Sequence, residues 1–316
     1  MARPAKKTAS QDPVEGQTFP ARVTRTHGRH HFVTDASGRT FEAHRRGKKS
    51  DVVAGDNVLC SEPHGNVVAI ERVLERRNLL YRSDAWRIKE LAANLDLVAV
   101  VFAQRPAFNP WFVWKAVIAA RCENIPVLLI RNKTDLVEDA ARMEDFCRLM
   151  QDDCGEDVIA VSAVCDGEKA AEQIAARFAG KTVLLVGQSG MGKSTILNTL
   201  CPEAAARTQE YSHALNLGKQ TTTTTTLYQS TFAGRESAVI DSPGFQEFGL
   251  AHIDALGLLG AMPDIARHAE GCRFYNCTHT AEPGCSVRAA LADGKIRPER
   301  YDFYCALMAE IKNRRP

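Results

Sequence analysis

The chain has 316 residues, 45% hydrophobic and 25% charged, the balance of an ordinary globular protein with room for one sizeable core plus one or two small modules. Its net charge of +2 conceals an asymmetry, because the first fifty residues hold eleven Lys/Arg against four Asp/Glu, which points to a polyanion-facing module at the N-terminus. No apolar run reaches the roughly 18 residues a membrane span needs, and the opening MARPAKKTASQDPVEGQ is charged without a hydrophobic stretch, so no span, signal peptide or anchor is expected and a cytoplasmic location is.

Residues 1–17 are polar, lysine-bearing and proline-containing, the composition of a disordered tail. From 18 to 75 the rhythm is of short alternating runs, FPARVTR, HHFVTD, RTFEAH, NVLCSE and NVVAIERV, separated by turn clusters. Five strands in so short a span predict a small closed barrel of OB type, with an SH3-like barrel or an irregular meander as the other readings. Arg22, Arg25, Arg29, His30, His31, Arg39, Arg45, Arg46, Lys48 and Lys49 lie along it. They predict an RNA-contacting rim with Phe32 and Phe41 as stacking faces, or a solvated face with both rings in the core.

From residue 76 strands alternate with helices. LDLVAVVFA, IPVLLIRN, DVIAVSA and KTVLLVG read as buried strands, whereas VEDAARMEDFCRLMQ and GEKAAEQIAARFAG read as helices. The expectation is a doubly wound, mostly parallel sheet over 76–249. Residues 201 to 226 read as loop, followed by the strands TLYQSTF and ESAVIDSPG, and 250–316 as a small α-rich module around a cysteine-histidine cluster.

A phosphate loop, Gly187-Gln188-Ser189-Gly190-Met191-Gly192-Lys193-Ser194 and then Thr195, joins the strand KTVLLV to the helix TILNTL. In that context backbone N–H groups cradle phosphates, Lys193 reaches the β/γ oxygens and Ser194 ligates Mg²⁺. Asp241-Ser242-Pro243-Gly244 fits a DxPG switch, with Asp241 toward Mg²⁺ and the Gly244 N–H toward the γ-phosphate. Asn132-Lys133-Thr134-Asp135 is a guanine-reading NKxD string: the Asp135 carboxylate accepts from N1 and the 2-amino group, which adenine cannot match. Ser162-Ala163 resembles its companion base-contacting motif. One of Thr221, Thr222 and Thr223, between the phosphate loop and DxPG, is expected to meet Mg²⁺ and the γ-phosphate. NKxD precedes the phosphate loop, so the domain is circularly permuted.

Seven of the ten cysteines are scattered, whereas Cys272, Cys277 and Cys285 cluster with His279 within fourteen residues. Three thiolates and an imidazole form a tetrahedral donor set suited to one structural Zn²⁺; an iron–sulfur site or core cysteines are the other readings.

Barrel, permuted motif order, DSPG, the threonine run after LGK and the cysteine-histidine spacing occur together over residues 18 to 305. In this the chain resembles the circularly permuted small ribosomal subunit biogenesis GTPases, the ribosome small subunit-dependent GTPase A family. That resemblance implies an OB-fold, a GTPase domain and a C-terminal zinc domain. It further implies GTP, GDP and Mg²⁺ as ligands, binding to the 30S subunit and its 16S rRNA late in maturation, and hydrolysis stimulated by the subunit. A monomer is expected. The family's histidine before the switch threonines is replaced here by Gln220, a side chain that cannot accept the water's proton as histidine can but is able to orient the water. The rival expectation is a nucleotide-gated RNA-binding factor in which hydrolysis is incidental. Because the chain leaves the GTPase domain just after DSPG, GTP is expected to move the C-terminal module relative to the barrel.

Overall fold

The computed structural model describes residues 17–45, 51–83, 88–202, 224–244 and 247–313. Five strands, β1 (Thr18–His27), β2 (His30–Asp35), β3 (Thr40–Arg45), β4 (Asn57–Ser61) and β5 (Val67–Val73), pair in the order β1-β2-β3-β5-β4, and β4 returns to β1 to close the barrel. All pairs are antiparallel except β3 with β5. Alternation places Val23, Val33, Phe41, Ala43, Val58, Cys60, Val68 and Ile70 inside. A bulge between Val23 and Arg25 bends β1, and its far end, still paired with β2, pairs on its other side with a strand of a second sheet.

That second sheet runs β10 (Asp157–Ala160), β9 (Val127–Arg131), β8 (Leu97–Phe102), β11 (Thr182–Val186), β13 (Arg235–Asp241), β12 (Thr225–Phe232). The first five are parallel and β12 is antiparallel to β13. β8, β9 and β11 are buried at every position, as a parallel sheet covered on both faces requires. One face carries α3 (Gly167–Phe178) and α4 (Lys193–Leu200), whose Ile174, Phe178, Ile196 and Leu197 pack on the sheet.

The other face carries α1 (Pro110–Cys122) and α2 (Ala140–Arg148), the latter running into a π-helical turn over Leu149–Asp153. Asn109 starts α1 by accepting the Trp111 and Phe112 N–H groups at 3.0 and 3.4 Å. The C-terminal helices α5 (Ala255–Gly260), α6 (Pro263–Ala266), α7 (Ser286–Ala292) and α8 (Pro298–Asn313) do not stand apart. Phe303, Tyr304, Leu307 and Met308 of α8 share one buried cluster with Trp114 of α1 and Phe146 of α2. Inside it Arg300 donates to both Asp264 oxygens at 2.7 and 2.9 Å and lies 4.9 Å over the Trp114 ring.

A hairpin absent from the sequence expectation, β6 (Leu79–Ser83) with β7 (Ile88–Ala93), is wedged between barrel and sheet. Ala54 bridges to Ala92 and Ser83 to Gly249. Gly55 comes so close that a Cβ there would stand 2.3 Å from the Ala93 carbonyl oxygen, and its positive φ of +91° also favours glycine. Arg76 closes this seam by donating to both oxygens of the fully buried Asp56 at 2.7 and 2.9 Å.

The basic barrel rim is smaller than the sequence implied. Phe41 is core, packed on Phe19 with ring centroids 5.6 Å apart, so it is not a stacking face. His31 is buried, Arg22 is turned to the second sheet, where it donates to Thr182 Oγ1 at 2.8 Å, and Arg45 is held by Asp51 and the Glu71 carbonyl. Phe32 keeps a half-exposed ring with the Arg25 guanidinium 4.7 Å above it. Arg46, Lys48 and Lys49 lie outside the described residues.

Candidate active site and metal centre

Every one of the four nucleotide motifs follows the C-terminal end of a parallel strand: the phosphate loop β11, DSPG β13, NKTD β9 and Ser162-Ala163 β10. Parallel strands end on one edge, so sheet order gathers what chain order scatters. β8 to β10 run outward to one side and β11 with β13 to the other, and the crevice at that reversal is where an open α/β sheet binds ligands.

Asn132 ties three of the loops together. Its Nδ2 donates to the Met191 carbonyl at 3.0 Å, its Oδ1 accepts the Ala163 N–H at 3.1 Å, and its own N–H donates to Phe102 at the end of β8 at 2.8 Å. The contact is tight enough that a Cβ on Gly192, whose φ is +97°, would fall 2.1 Å from Asn132 Nδ2. Lys133, at a φ of +62°, sends its ammonium to the Gly190 carbonyl at 2.7 Å and the Arg105 carbonyl at 3.2 Å. Asp135 is exposed and one of its oxygens accepts from Ser162 Oγ at 2.5 Å, an arrangement that fixes the carboxylate at the mouth of the crevice.

Lys193 is buried, unlike its exposed neighbours Ser194 and Thr195, and donates to the Gly187 and Gln188 carbonyls at 2.7 and 3.1 Å. A Cβ on Gly244 would lie 3.3 Å from the Lys193 Nζ and 3.2 Å from the Ser189 Cα, so DSPG is laid directly on the phosphate loop. Ser242 anchors it by donating to the Leu185 carbonyl at 2.7 Å. Burial pushes the Asp241 carboxyl up to about 6, with Lys193 opposing, and lowers the Lys193 ammonium, with Asp241 opposing. Each group is thus a partial counter-charge to the other, and for both the desolvation of the crevice outweighs that attraction.

Sequence reading missed the segment after β8. Pro106 and Ala107 wall a pocket of about 290 Å³ together with Gln188 to Met191, and a Cβ on Gly190 would stand 3.1 Å from Pro106 Cδ. The run RPAF carries no nucleotide signature, so only the fold reveals its place. A larger cleft of about 910 Å³, between the barrel and β12, is lined by Arg22, Thr24, Arg25, Lys181 and Thr226 at a distance from the phosphate loop. Gln220, Thr221, Thr222, Thr223 and Phe245 lie outside the described residues. Their continuation is described: Thr226 pairs with Asp241, so the threonine run enters β12 beside the DSPG aspartate.

At the other end of the chain, the ligand atoms of Cys272, Cys277, His279 and Cys285 all lie within 4.8 Å of one another. Cys272 Sγ is 3.4 Å and Cys285 Sγ 3.6 Å from His279 Nδ1. Ser286 donates its N–H to Cys272 Sγ at 3.4 Å, a contact that favours the thiolate. The loop is held from behind: Tyr301 Oη donates to the His279 carbonyl at 2.8 Å and Tyr304 Oη to the Thr278 carbonyl at 3.2 Å. Four soft or borderline donors this close fit a single tetrahedral ion.

Comparison with known proteins agrees with this geometry. The family model described as RsgA GTPase matches residues 73–251. A protein of Bordetella pertussis named small ribosomal subunit biogenesis GTPase RsgA is 45% identical over 298 residues, covering 93% of this chain and 97% of the relative. Among solved structures, YjeQ from Thermotoga maritima superposes with a TM-score of 0.69 at 25% identity, over 95% of this chain and all of that one. YloQ, described as a circularly permuted GTPase, gives 0.65 at 25% identity over 95% of this chain and 97% of its own.

Proposed function

The chain belongs to the RsgA GTPase family, and from that premise we propose that it hydrolyses GTP to GDP and phosphate as a late checkpoint of small ribosomal subunit assembly, stimulated by the 30S subunit. The observation that carries this reading is Asn132, which bonds the phosphate loop, the base-reading loop and the Ser162-Ala163 loop into one crevice.

Guanine is held by Asn132, Lys133, Thr134 and Asp135 with Ser162 and Ala163, and the phosphates by Gly187, Gln188, Ser189, Gly190, Met191, Gly192, Lys193, Ser194 and Thr195. Ser194 and Asp241 would hold a magnesium ion, which when bound would neutralise phosphate charge. Lys193 leaves its carbonyl partners for the β/γ oxygens, exchanging neutral acceptors for anionic ones. Gly244, against the Lys193 ammonium, is placed to read the γ-phosphate by its N–H. Catalysis then rests on positioning and charge neutralisation, with Thr222 or one of its neighbours Thr221 and Thr223 the threonine that would hold the metal, and Gln220, the subunit, or both orienting the water. Slow intrinsic turnover follows, since position 245 is phenylalanine where Ras-type enzymes carry glutamine.

The barrel order β1-β2-β3-β5-β4 supports an OB-type RNA-binding module over 18–75, with Arg25 and Phe32 toward 16S rRNA. Residues 76–249 are the permuted GTPase domain and 250–316 the zinc domain, with Cys272, Cys277, His279 and Cys285 holding one structural Zn²⁺. The reading is of a cytoplasmic monomer; among the described residues no helix is long and apolar enough to cross a membrane.

GTP turnover titrated with purified 30S and 50S subunits tests substrate, partner and activation together. Stimulation by 30S alone is expected. Turnover that is already fast and indifferent to 30S would sink the checkpoint reading.

A further inference from the structure

A second cluster of metal-ligating side chains lies far from the cysteines, on the outer face of the barrel. Glu42 and His44 stand two apart on β3 and share that face. The β2–β3 register pairs Phe32 with Glu42 and His31 with Ala43, so one step further His30 lies across from His44, and their rings stand 5.8 Å apart edge to face. Glu42 Oε1 is 3.5 Å from His30 Nδ1 and 3.5 Å from His44 Nε2. The three donor atoms fall within 4.8 Å of one another.

Ligands about 2.0–2.2 Å from a tetrahedral ion stand about 3.4 Å from each other, so both contacts to Glu42 already have the length of a coordination edge. The backbone beneath is fixed: β3 is paired on both sides, with Glu42 opposite Val67 and His44 opposite Ala69 on β5, and the Glu42 N–H donates to the Asn66 carbonyl at 2.9 Å. His30 opens β2 just past the Gly28-Arg29 turn, where a small adjustment is cheap, and both imidazoles are exposed to an arriving ion. We propose that His30, Glu42 and His44 form a surface site for a borderline divalent ion of the zinc class. Two imidazoles and a carboxylate choose such an ion over Ca²⁺ or Mg²⁺. Three protein ligands on one side leave the remaining position toward solvent, open to water or to a phosphate oxygen. The site adjoins the Arg25–Phe32 pair, and its ion would add positive charge to that face.

Equilibrium dialysis of the full-length protein against rising free Zn²⁺, with metal counted per chain, tests the assignment. The parent is expected to bind one zinc more than His30→Ala/His44→Ala, while the cysteine-bound metal is equal in both. Losing only an outer partner of a metal ligand costs about 10–100-fold in affinity, so Glu42→Gln and His44→Ala should each weaken the extra zinc at least tenfold. Imidazole resonances of His30 and His44 should shift in the same concentration range. All three side chains point outward, so the variants keep the barrel core. Equal zinc counts in parent and double variant, or an extra zinc bound as tightly without the two imidazoles, would overturn the proposal.

Discussion

Asp241 illustrates how a functional carboxylate is made expensive. Burial raises it to about 6 from an ordinary 3.8, even though Lys193 pulls the other way. The sign follows from linkage: between about pH 4 and 6 the unfolded chain loses this proton before the folded one, so the group's contribution to stability falls as pH rises through that window and stays lost above it. Removing the charge should therefore help. Asp241→Asn without nucleotide or magnesium is expected to gain roughly 1–3 kcal/mol at pH 7 and nothing near pH 4, by urea denaturation at the two pH values. Magnesium-dependent GTP binding should fall in the variant, and in the parent as pH drops below about 6; a variant less stable at pH 7 would contradict this account. Residue identity alone located Asp241 and Lys193 from their motifs. It could not decide between Phe32 and Phe41, because both occupy alternating strand positions, and only the bulge and pairing register put Phe41 inside and leave Phe32 under Arg25.

Loops and helices carry the next level of the argument, and here the permutation costs the site nothing, because each motif belongs to a strand end. Asn132→Ala would leave the Met191 carbonyl and the Ala163 N–H without partners in a buried setting, at about 1–3 kcal/mol each. The expected result is GTP and GDP affinity lowered together by at least about tenfold, read by fluorescent-nucleotide titration; a change confined to hydrolysis would show that the residue does not brace the loops. Two elements escaped the sequence for physical reasons. α1 is apolar nearly all round, buried from Phe112 to Ala120 apart from Lys115, so it has no amphipathic period to detect. β6 and β7 lack alternation because burial runs in blocks along them: β7 is exposed from Ile88 to Glu90 and buried from Leu91 to Ala93, where Ala92 bridges to Ala54 of the barrel. The cysteine cluster, in contrast, was legible from spacing. Its removal should be felt widely, since α8 packs on α1: Cys285→Ser, or zinc chelation, is expected to lower the melting temperature of the whole nucleotide-binding unit. Loss of C-terminal helicity alone, with the GTPase transition unmoved, would refute that coupling.

For the molecule as a whole, permutation places the C-terminal helices immediately after DSPG, and from order alone those helices were expected to move with nucleotide state. Packing shifts the expectation to the barrel. Displacing α8 would expose Phe303, Tyr304 and Leu307 and break the buried Arg300–Asp264 pair, and each large apolar side chain taken out of water contributes about 1.5–3 kcal/mol. The barrel is held at its seam with β7 by the Ala54–Ala92 bridge and the close approach of Gly55 to Ala93. It meets the central sheet itself more lightly, through Arg22 to Thr182 and a short ladder, Arg25 opposite Thr226 and Thr26 opposite Thr225, extended by His27 Nδ1 and Thr224 Oγ1 at 3.1 Å. That ladder continues from Thr226 to Asp241 and from Asp241 to Leu185, the strand that feeds the phosphate loop. If GTP reorganises the segment before Thr224, β12, which among the described residues pairs with β1 of the barrel, is expected to carry the pull, and a partner seated on the barrel to pull back through it, because coupling free energy is reciprocal. Small-angle scattering with GDP and with a non-hydrolysable GTP analogue should differ in the parent. Thr26→Cys/Thr225→Cys, on facing strand positions whose spacing suits a disulfide, should when oxidised erase that difference and the 30S stimulation while leaving basal turnover intact. Identical scattering profiles for the parent in both nucleotide states, free and 30S-bound, would leave the barrel a passive anchor.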